Sequence, residues 1–325
     1  MSEIHSSIRY FCDQNNIQDD FLCSRVQAGR NSAVYVISDK NSSRILKHYF
    51  SYAGQSRSRL MAEYSFLEFL GKSGVDNVTS PIAMDEKKQL ALYTLLPGVR
   101  PNVITLLHIK QAANFILKLD SIKQQDSANL IEWAVDSCVT VRKHIELVDT
   151  RINELNESCN NNEEFLEFTK WLHEVLVPAW EDIKRRIRLT DLSDAGEILT
   201  LSPSDFGFHN TLDFNGQLSF VDFEYAGWDG ISKLACDFIC QPEIPISNEQ
   251  ARYFLKLLAE GIGSNDLEYR VEALLPLHRI KWCCIMLNPF KNIERLKYTH
   301  SGIFTSDILD KQLSKARIYF SMHLN

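Results

Sequence analysis

The sequence predicts an α+β chain in two unequal parts, a small N-terminal part built on a β-sheet with one helix and a larger, mostly helical C-terminal part. Three observations carry this. Up to about residue 95 the chain falls into short runs rich in β-branched and aromatic residues, separated by polar turns, with one helical stretch among them. From Asn102 onward, apolar residues recur at helical spacing over long stretches. Between the two, Leu96-Pro97-Gly98 breaks the chain, so the expected parts are 1–96 and 97–325.

Each element follows from its own local pattern. Leu22 to Ala28, Ala33 to Ser38 and Arg44 to Tyr49 are β-rich and are divided by Gly29-Arg30-Asn31-Ser32 and by Asp39 to Ser43, which predicts three antiparallel strands. A helix is expected over 56–70, with Leu60, Tyr64, Leu67 and Gly71 roughly on one face. Strands near 80–84 and 90–95 complete the sheet. Helices are expected over 102–122, 127–155 and 162–188, the last bent or interrupted by Pro178. A short β run at 197–201 and a hairpin at Asn215-Gly216 interrupt the helical part. Helices then return over 231–241, 248–260, 266–287 and 305–322.

Composition removes several classes of function. With 325 residues, 45% hydrophobic and 24% charged, the chain has the make-up of an ordinary globular protein. A net charge of −7 and a pI near 5.8 argue against nucleic acid as a partner, because binding phosphates needs a basic stripe that no segment provides. That acidity suits a cationic substrate. The first residues lack the basic start and apolar core of a signal peptide, and no run approaches the ~20 apolar residues that span a bilayer, so no membrane association and a cytoplasmic location are expected. The eight cysteines contain no C-x2-C pair and no histidine at zinc-ligand spacing, which reads as free, mostly buried thiols.

The chemistry concentrates in Ser202 to Glu224. Asp205 is followed five residues later by Asn210, then by the runs Thr211 to Phe214 and Gln217 to Val221 around the Asn-Gly turn, then by Asp222. A hydroxyl nucleophile needs a carboxylate to accept its proton, and a triphosphate needs magnesium to offset its charge. Asp205 has the chemistry for the first role. Asn210 and Asp222 offer hard oxygen ligands for the second, since magnesium takes few protein oxygens and keeps phosphates and water for the rest. The hairpin folds Asp222 back beside Asn210. By itself the spacing also fits a polar loop with an Asx-turn.

Asp205-Phe206-Gly207 also spells the D-F-G of protein kinases, in which the aspartate holds metal. That alternative requires an upstream Asp with Asn five residues on. Asp182, Asp191 and Asp194 are followed at that spacing by Ile187, Gly196 and Leu199. Asp205 is therefore read as the base and Asp222-Phe223-Glu224 as the metal segment.

At these positions the chain resembles the aminoglycoside phosphotransferase and choline kinase family, whose catalytic loop reads H-x-D-x4-N and whose metal segment reads close to [IV]-D-[FW]-E-x-A-G, against Val221 to Gly227 here. Asp222-Phe223-Glu224-Tyr225-Ala226-Gly227 looks like the choline kinase side of the group. The resemblance implies a bilobal, protein-kinase-like fold over nearly the whole chain, ATP and Mg2+ as cofactors, and a small-molecule hydroxyl as acceptor. It implies that Gly29, Asn31 and Ser32 lie in the loop over the phosphates, where backbone amides reach phosphate oxygens; standing alone, that stretch is a plain hairpin turn. Lys47 stands where the family places a lysine over the α- and β-phosphates, with Glu63 sixteen residues on to hold it, and Arg59 and Glu68 as nearby alternatives. Backbone groups from Thr94 to Leu96 would meet the adenine edge.

Departures matter as well. Pro203 stands where the family's loop histidine is expected, and Leu234 where a further aspartate is usual, with Asp229 and Asp237 on either side. Asp237 fits a supporting role beneath the loop. Glu224 would join the metal shell or meet a substrate ammonium, and Trp228 beside Asp229 would make a cation-binding corner; the plainer alternative packs Trp228 on the following helix. His209 reads as structural or solvent-facing, while His278 and Lys281 are open to either the acceptor site or the interior. The expected function is ATP-dependent phosphorylation of an amino alcohol, amino sugar or sugar. The alternative is a nucleotide-binding pseudokinase acting as scaffold or sensor. No A-P-E segment follows Asp222, which argues against a protein substrate.

Overall fold

The short β-rich runs assemble into one antiparallel sheet. The computed structural model describes residues 3–17, 20–26, 32–55, 57–159, 165–188, 190, 192 and 197–324. In it β1 (Leu22–Val26), β2 (Ser32–Ser38), β3 (Ser43–Tyr49), β4 (Pro81–Asp85) and β5 (Leu90–Thr94) lie in the order β1-β2-β3-β5-β4. Period-two alternation gives this sheet two apolar faces. Ala33, Tyr35, Ile37 and Leu46 are buried under α1 (Glu3–Gln14), whose Ile8, Phe11 and Cys12 close that cluster. On the other face Tyr49, Ala91 and Tyr93 meet Leu60, Phe66 and Leu67 of α2 (Arg59–Lys72). The sequence reading expected one helix here and missed α1. The second helix starts at Arg59 rather than 56 because Ser58 caps it, its Oγ accepting from the Met61 amide at 3.2 Å.

The C-terminal part contains α3 (Leu106–Ile122), α4 (Val141–Cys159), α5 (Leu166–Trp171), a π-helical turn at Leu172–Leu176 and α6 (Val177–Arg188). Next come β6 (Leu199–Ser202), the hairpin β7 (Thr211–Phe214) and β8 (Gln217–Phe220), and β9 (Gly227–Gly230). The chain ends in α7 (Ile231–Cys240), α8 (Asn248–Ile262), α9 (Leu267–Met286), α10 (Asn292–Ser301) and α11 (Ile308–His323).

Two expectations are corrected. The helix expected over 127–155 forms only from Val141, because 132–135 are drawn out to bond with 225–228: Trp228 N donates to Glu132 O (3.0 Å), Ala134 N to Trp228 O (2.9 Å) and Val135 N to Tyr225 O (3.1 Å). β9, which pairs with β6, and α10 were not anticipated. The helix expected over 162–188 is interrupted at the proline as anticipated, a π-turn just before Pro178 dividing α5 from α6 and absorbing the missing amide. All eight cysteines are free, six of them buried.

Phenylalanines anchor the Ser202 to Glu224 ribbon. Phe115 of α3 stacks on Phe220 (ring centroids 4.0 Å), and Phe206 on Phe238 (5.1 Å). Phe208 meets Phe238 edge-on (5.4 Å), and Phe223 stacks on Phe66 of α2 (5.6 Å). One apolar cluster thus runs from the inner face of the sheet through α2 and α3 to α7 and α8. Asn215 and Gly216 both adopt positive φ (53° and 80°), the conformation of a two-residue hairpin turn. The chain leaving β5 is fastened to this hairpin, for Val99 and Asp213 exchange backbone hydrogen bonds of 3.1 and 2.7 Å.

Candidate active site

The anchors decide where the polar residues between them point. With Phe206 and Phe208 turned inward, Asp205 keeps a side chain 36% exposed. Asn210 closes the loop on itself, its Nδ2 donating to Asp205 O at 2.9 Å and its backbone carbonyl accepting from Val221 N at 3.0 Å. The second bond sets the start of the metal segment against Asn210. Asp222 follows in a left-handed conformation (φ 70°), which turns its carboxylate away from the buried Phe223 and towards the sheet.

There it meets Lys47 of β3. Lys47 Nζ lies 2.8 Å from Asp222 Oδ1 and 2.7 and 2.8 Å from the two oxygens of Glu63 on α2. Glu63 is wholly buried and also accepts from Tyr49 OH (2.6 Å) and from Phe223 N (3.2 Å). The Tyr49 hydroxyl in turn meets that of Tyr93 at 2.7 Å. Burial by itself lowers the Lys47 ammonium's pKa, but the carboxylates of Asp222, Glu63 and Glu224 outweigh it and hold it above the ordinary value. Glu224 is buried beside them, its Oε2 accepting from Ser32 Oγ at 3.1 Å. Burial and the neighbouring Asp222 push the Glu224 carboxyl up to about 7.

Ser32, Lys47 and Glu63 of the N-terminal part are thus brought together with Asp222 and Glu224, on the ribbon that also carries Asp205 and Asn210. Of the alternatives to Glu63, Glu68 is exposed and paired with Lys72, and Arg59 donates to Phe50 O at 3.1 Å. Gly29 and Asn31 lie outside the described residues.

Other expected positions are corrected. Thr94 belongs to the sheet, its amide donating to Ser80 O (3.0 Å) and its carbonyl accepting from Thr79 Oγ1 (2.6 Å), which leaves Leu96 in the connecting stretch. The corner of Trp228 and Asp229 does not form. Trp228 is half-buried with its indole donating to Ala128 O (3.0 Å), and Asp229 is fully buried, held by Lys233 (2.7 Å) and by the amides of Cys138 (3.0 Å) and Gly230 (2.8 Å). Asp237 is also buried, between Lys233 (3.1 Å) and Lys281. His278 and Lys281 face this interior. The group lies beneath the loop, since Lys233 Nζ reaches Ser204 Oγ at 3.5 Å.

Sequence reasoning missed two contributors. Tyr49 carries no motif, and only the pairing of its strand with β5 shows its role beside Glu63. His209 was read as structural or solvent-facing, yet its Nε2 lies 3.1 Å from Asp205 Oδ1. A histidine four residues after an aspartate at a helical turn was the available signal.

The oxygen donors suit magnesium. Asn210 donates one side-chain amide hydrogen to Asp205 O and has a carbonyl oxygen besides, Asp222 has one oxygen beyond the one Lys47 takes, and Glu224 stands behind them; such hard oxygens could hold a magnesium ion. Among the described residues no helix is long and apolar enough to cross a membrane.

No protein-family model matches the chain, and no curated protein matches it in sequence. Solved structures do match it over nearly its whole length. Choline kinase from Cryptosporidium parvum Iowa II aligns with a TM-score of 0.62 at 12% identity, covering 98% of this chain and 97% of that one. A spectinomycin phosphotransferase in complex with ADP and spectinomycin aligns at 0.63 and 12% identity, covering 95% and 98%. A choline kinase from Streptococcus pneumoniae aligns at 0.60 and 14% identity, covering 99% and 100%. The chain therefore has the fold of choline kinase and aminoglycoside phosphotransferase structures, the group that its Asp205 and Asp222 segments resemble in sequence.

Proposed function

We propose that this chain is a small-molecule kinase that moves the γ-phosphoryl group of ATP to a hydroxyl oxygen of an amino alcohol, amino sugar or sugar. The observation that carries the reading is the cluster in which Lys47 is gripped by Glu63 and turned to Asp222, on the ribbon that also carries the part-exposed Asp205. Such an ammonium, fixed before substrate arrives, neutralises phosphate charge without reorganisation.

Residues 1–96 would hold the nucleotide, with Lys47 on its phosphates, the loop of Gly29, Asn31 and Ser32 above them and Leu96 at the base. Residues 97–325 would hold the acceptor. The acceptor's hydroxyl proton passes to the Asp205 carboxylate, its oxygen forms the new bond to the γ-phosphorus, and the bond from that phosphorus to the bridging oxygen breaks to leave ADP. Asn210 and Asp222, with Glu224 behind, would hold magnesium, which when bound offsets charge on the phosphate oxygens.

The test is ATP consumption with magnesium across a panel of amino alcohols, amino sugars and sugars. Asp205→Asn is expected to cost about 10²- to 10⁴-fold in turnover while ATP binding persists. Undiminished turnover in that variant defeats the assignment of the base. ATP binding without turnover of any acceptor favours the pseudokinase alternative.

A further inference from the structure

We infer that Ser204 is a positioning residue, its hydroxyl holding the backbone turn that sets the direction in which Asp205 leaves the loop; this rests on the reading of Asp205 as the base. Ser204 has a φ of 67°, and across it the Asp205 amide donates to Pro203 O at 3.0 Å. A bond that spans two residues over a left-handed centre makes 203–205 a γ-turn of the rare, strained hand. Strain of this kind persists only where the surroundings impose it. Here they do, for Ser204 is buried and held through both its amide and its hydroxyl. The amide donates to Ser202 Oγ (3.0 Å), and Oγ donates to Val135 O (3.1 Å) and accepts from Lys233 Nζ (3.5 Å). The hold runs through the backbone, so it acts on Asp205 whatever that side chain itself meets, His209 Nε2 at 3.1 Å among its partners.

The two partners of the hydroxyl are themselves fixed. Val135 donates its amide to Tyr225 O at 3.1 Å, within the stretch drawn out against 225–228. Lys233 is buried on α7, and its Nζ also lies 2.7 Å from Asp229 Oδ2 and 3.1 Å from Asp237 Oδ2. Burial by itself lowers the pKa of this ammonium, but Asp229 and Asp237 outweigh it and keep it charged. Its three hydrogens then face three oxygens, of which the Ser204 hydroxyl is the neutral one. Asp229 is held in turn by the amides of Cys138 (3.0 Å) and Gly230 (2.8 Å), and Asp237 by Lys281. The strained turn is thus fastened to the buried ion pairs beneath the loop. Without the hydroxyl, no side chain holds residue 204, and relaxation to a commoner turn swings the Asp205 side chain with its backbone. A reacting group misplaced by about 1 Å costs on the order of 10²-fold.

The test compares Ser204→Ala, Ser204→Gly, Asp205→Ala and the double variant Ser204→Ala/Asp205→Ala, with Mg-ATP and the best acceptor from the panel above. Rates are taken well below each thermal midpoint. Both serine variants are expected to lower kcat about 10- to 100-fold with KM for ATP within about two-fold, because they disturb orientation and not nucleotide binding. Alanine keeps the strained backbone and glycine relieves it, so Ser204→Gly should melt at or above Ser204→Ala and yet show no higher kcat. A merely structural serine would make the more stable variant the more active one. In the Asp205→Ala background, Ser204→Ala changes the residual rate by less than about two-fold, since no carboxylate remains to orient. Unchanged kcat in both serine variants beside an inactive Asp205→Ala overturns this inference and leaves the base assignment standing. Wild-type kcat in Ser204→Gly alone also overturns it, since the turn would then suffice without the hydroxyl. Equal losses in both backgrounds do the same, since Ser204 would then act on the loop as a whole. Full activity in Asp205→Ala, or no turnover by the wild-type protein, overturns the base reading and this inference with it.

Discussion

Replacing Glu63 by Gln removes the charge that holds Lys47 while keeping the side chain's shape. The carboxylate takes four hydrogen bonds from three donors: Lys47 Nζ on each oxygen (2.7 and 2.8 Å), Phe223 N on Oε1 (3.2 Å) and Tyr49 OH on Oε2 (2.6 Å). An amide offers one acceptor oxygen and sets its own hydrogens against two of those donors. Of its two charged hydrogen-bond partners Lys47 would keep Asp222, whose side chain is 29% exposed, with at most a neutral bond to the amide oxygen. Breaking a buried pair by removing one partner costs about 3–5 kcal/mol. With an unfolding entropy of about 2.1 cal/mol/K per residue, a chain of 325 residues loses about 4–7 °C in Tm for that cost. The assay is thermal unfolding by circular dichroism beside Glu68→Gln, an exposed control whose pair with Lys72 spans 3.4 Å and should be worth under about 0.5 kcal/mol. KM for ATP should rise, since Lys47 would be free to swing off the phosphates. A Glu63→Gln protein with the control's Tm and an unchanged KM for ATP would refute the view that this carboxylate fixes the lysine.

Asp222→Asn should raise the magnesium concentration needed for half-maximal turnover and lower the maximal rate by about 10²-fold or more, read from a magnesium titration of initial rates; an unchanged titration counts against the ligand assignment. Gly98→Ala should destabilise by at least about 2 kcal/mol, because Gly98 has φ of 110° and a Cβ there would sit 2.6 Å from Asp213 O; a urea midpoint equal to wild type would contradict this. Burial holds the imidazoles of His278 and His48 at about 4, so both are neutral in the folded protein. Their contribution to stability is complete above pH 6.5 and is lost as pH falls through 4, because the unfolded chain takes up the protons first. For the fully buried His278 about 2 kcal/mol should go between pH 7.5 and 5, with less from the partly exposed His48. Urea midpoints at the two pH values should show this fall in the wild type and a shallower one in His278→Gln; equal slopes would refute it.

What the sequence determined by itself was whatever depends on near neighbours. Short β-rich runs bounded by polar turns are enough to mark β2 and β3, and Asn215-Gly216 forces the hairpin turn because both residues accept positive φ. The same local logic ties Asp222 to Asn210 through eleven intervening residues of closed hairpin. Tertiary structure decided what depends on partners far along the chain. The stretch 132–135 gave up its helical period for bonds to 225–228, almost a hundred residues away. Asp229 and Trp228, adjacent and polar-looking in sequence, were drawn inward because Lys233, Cys138 and Ala128 await them there. Glu63 and Glu68 are alike as letters. One lies under the sheet beside Tyr49 and Lys47 and the other faces water, because a helix exposes each face to a different dielectric, and only packing chooses which face is buried.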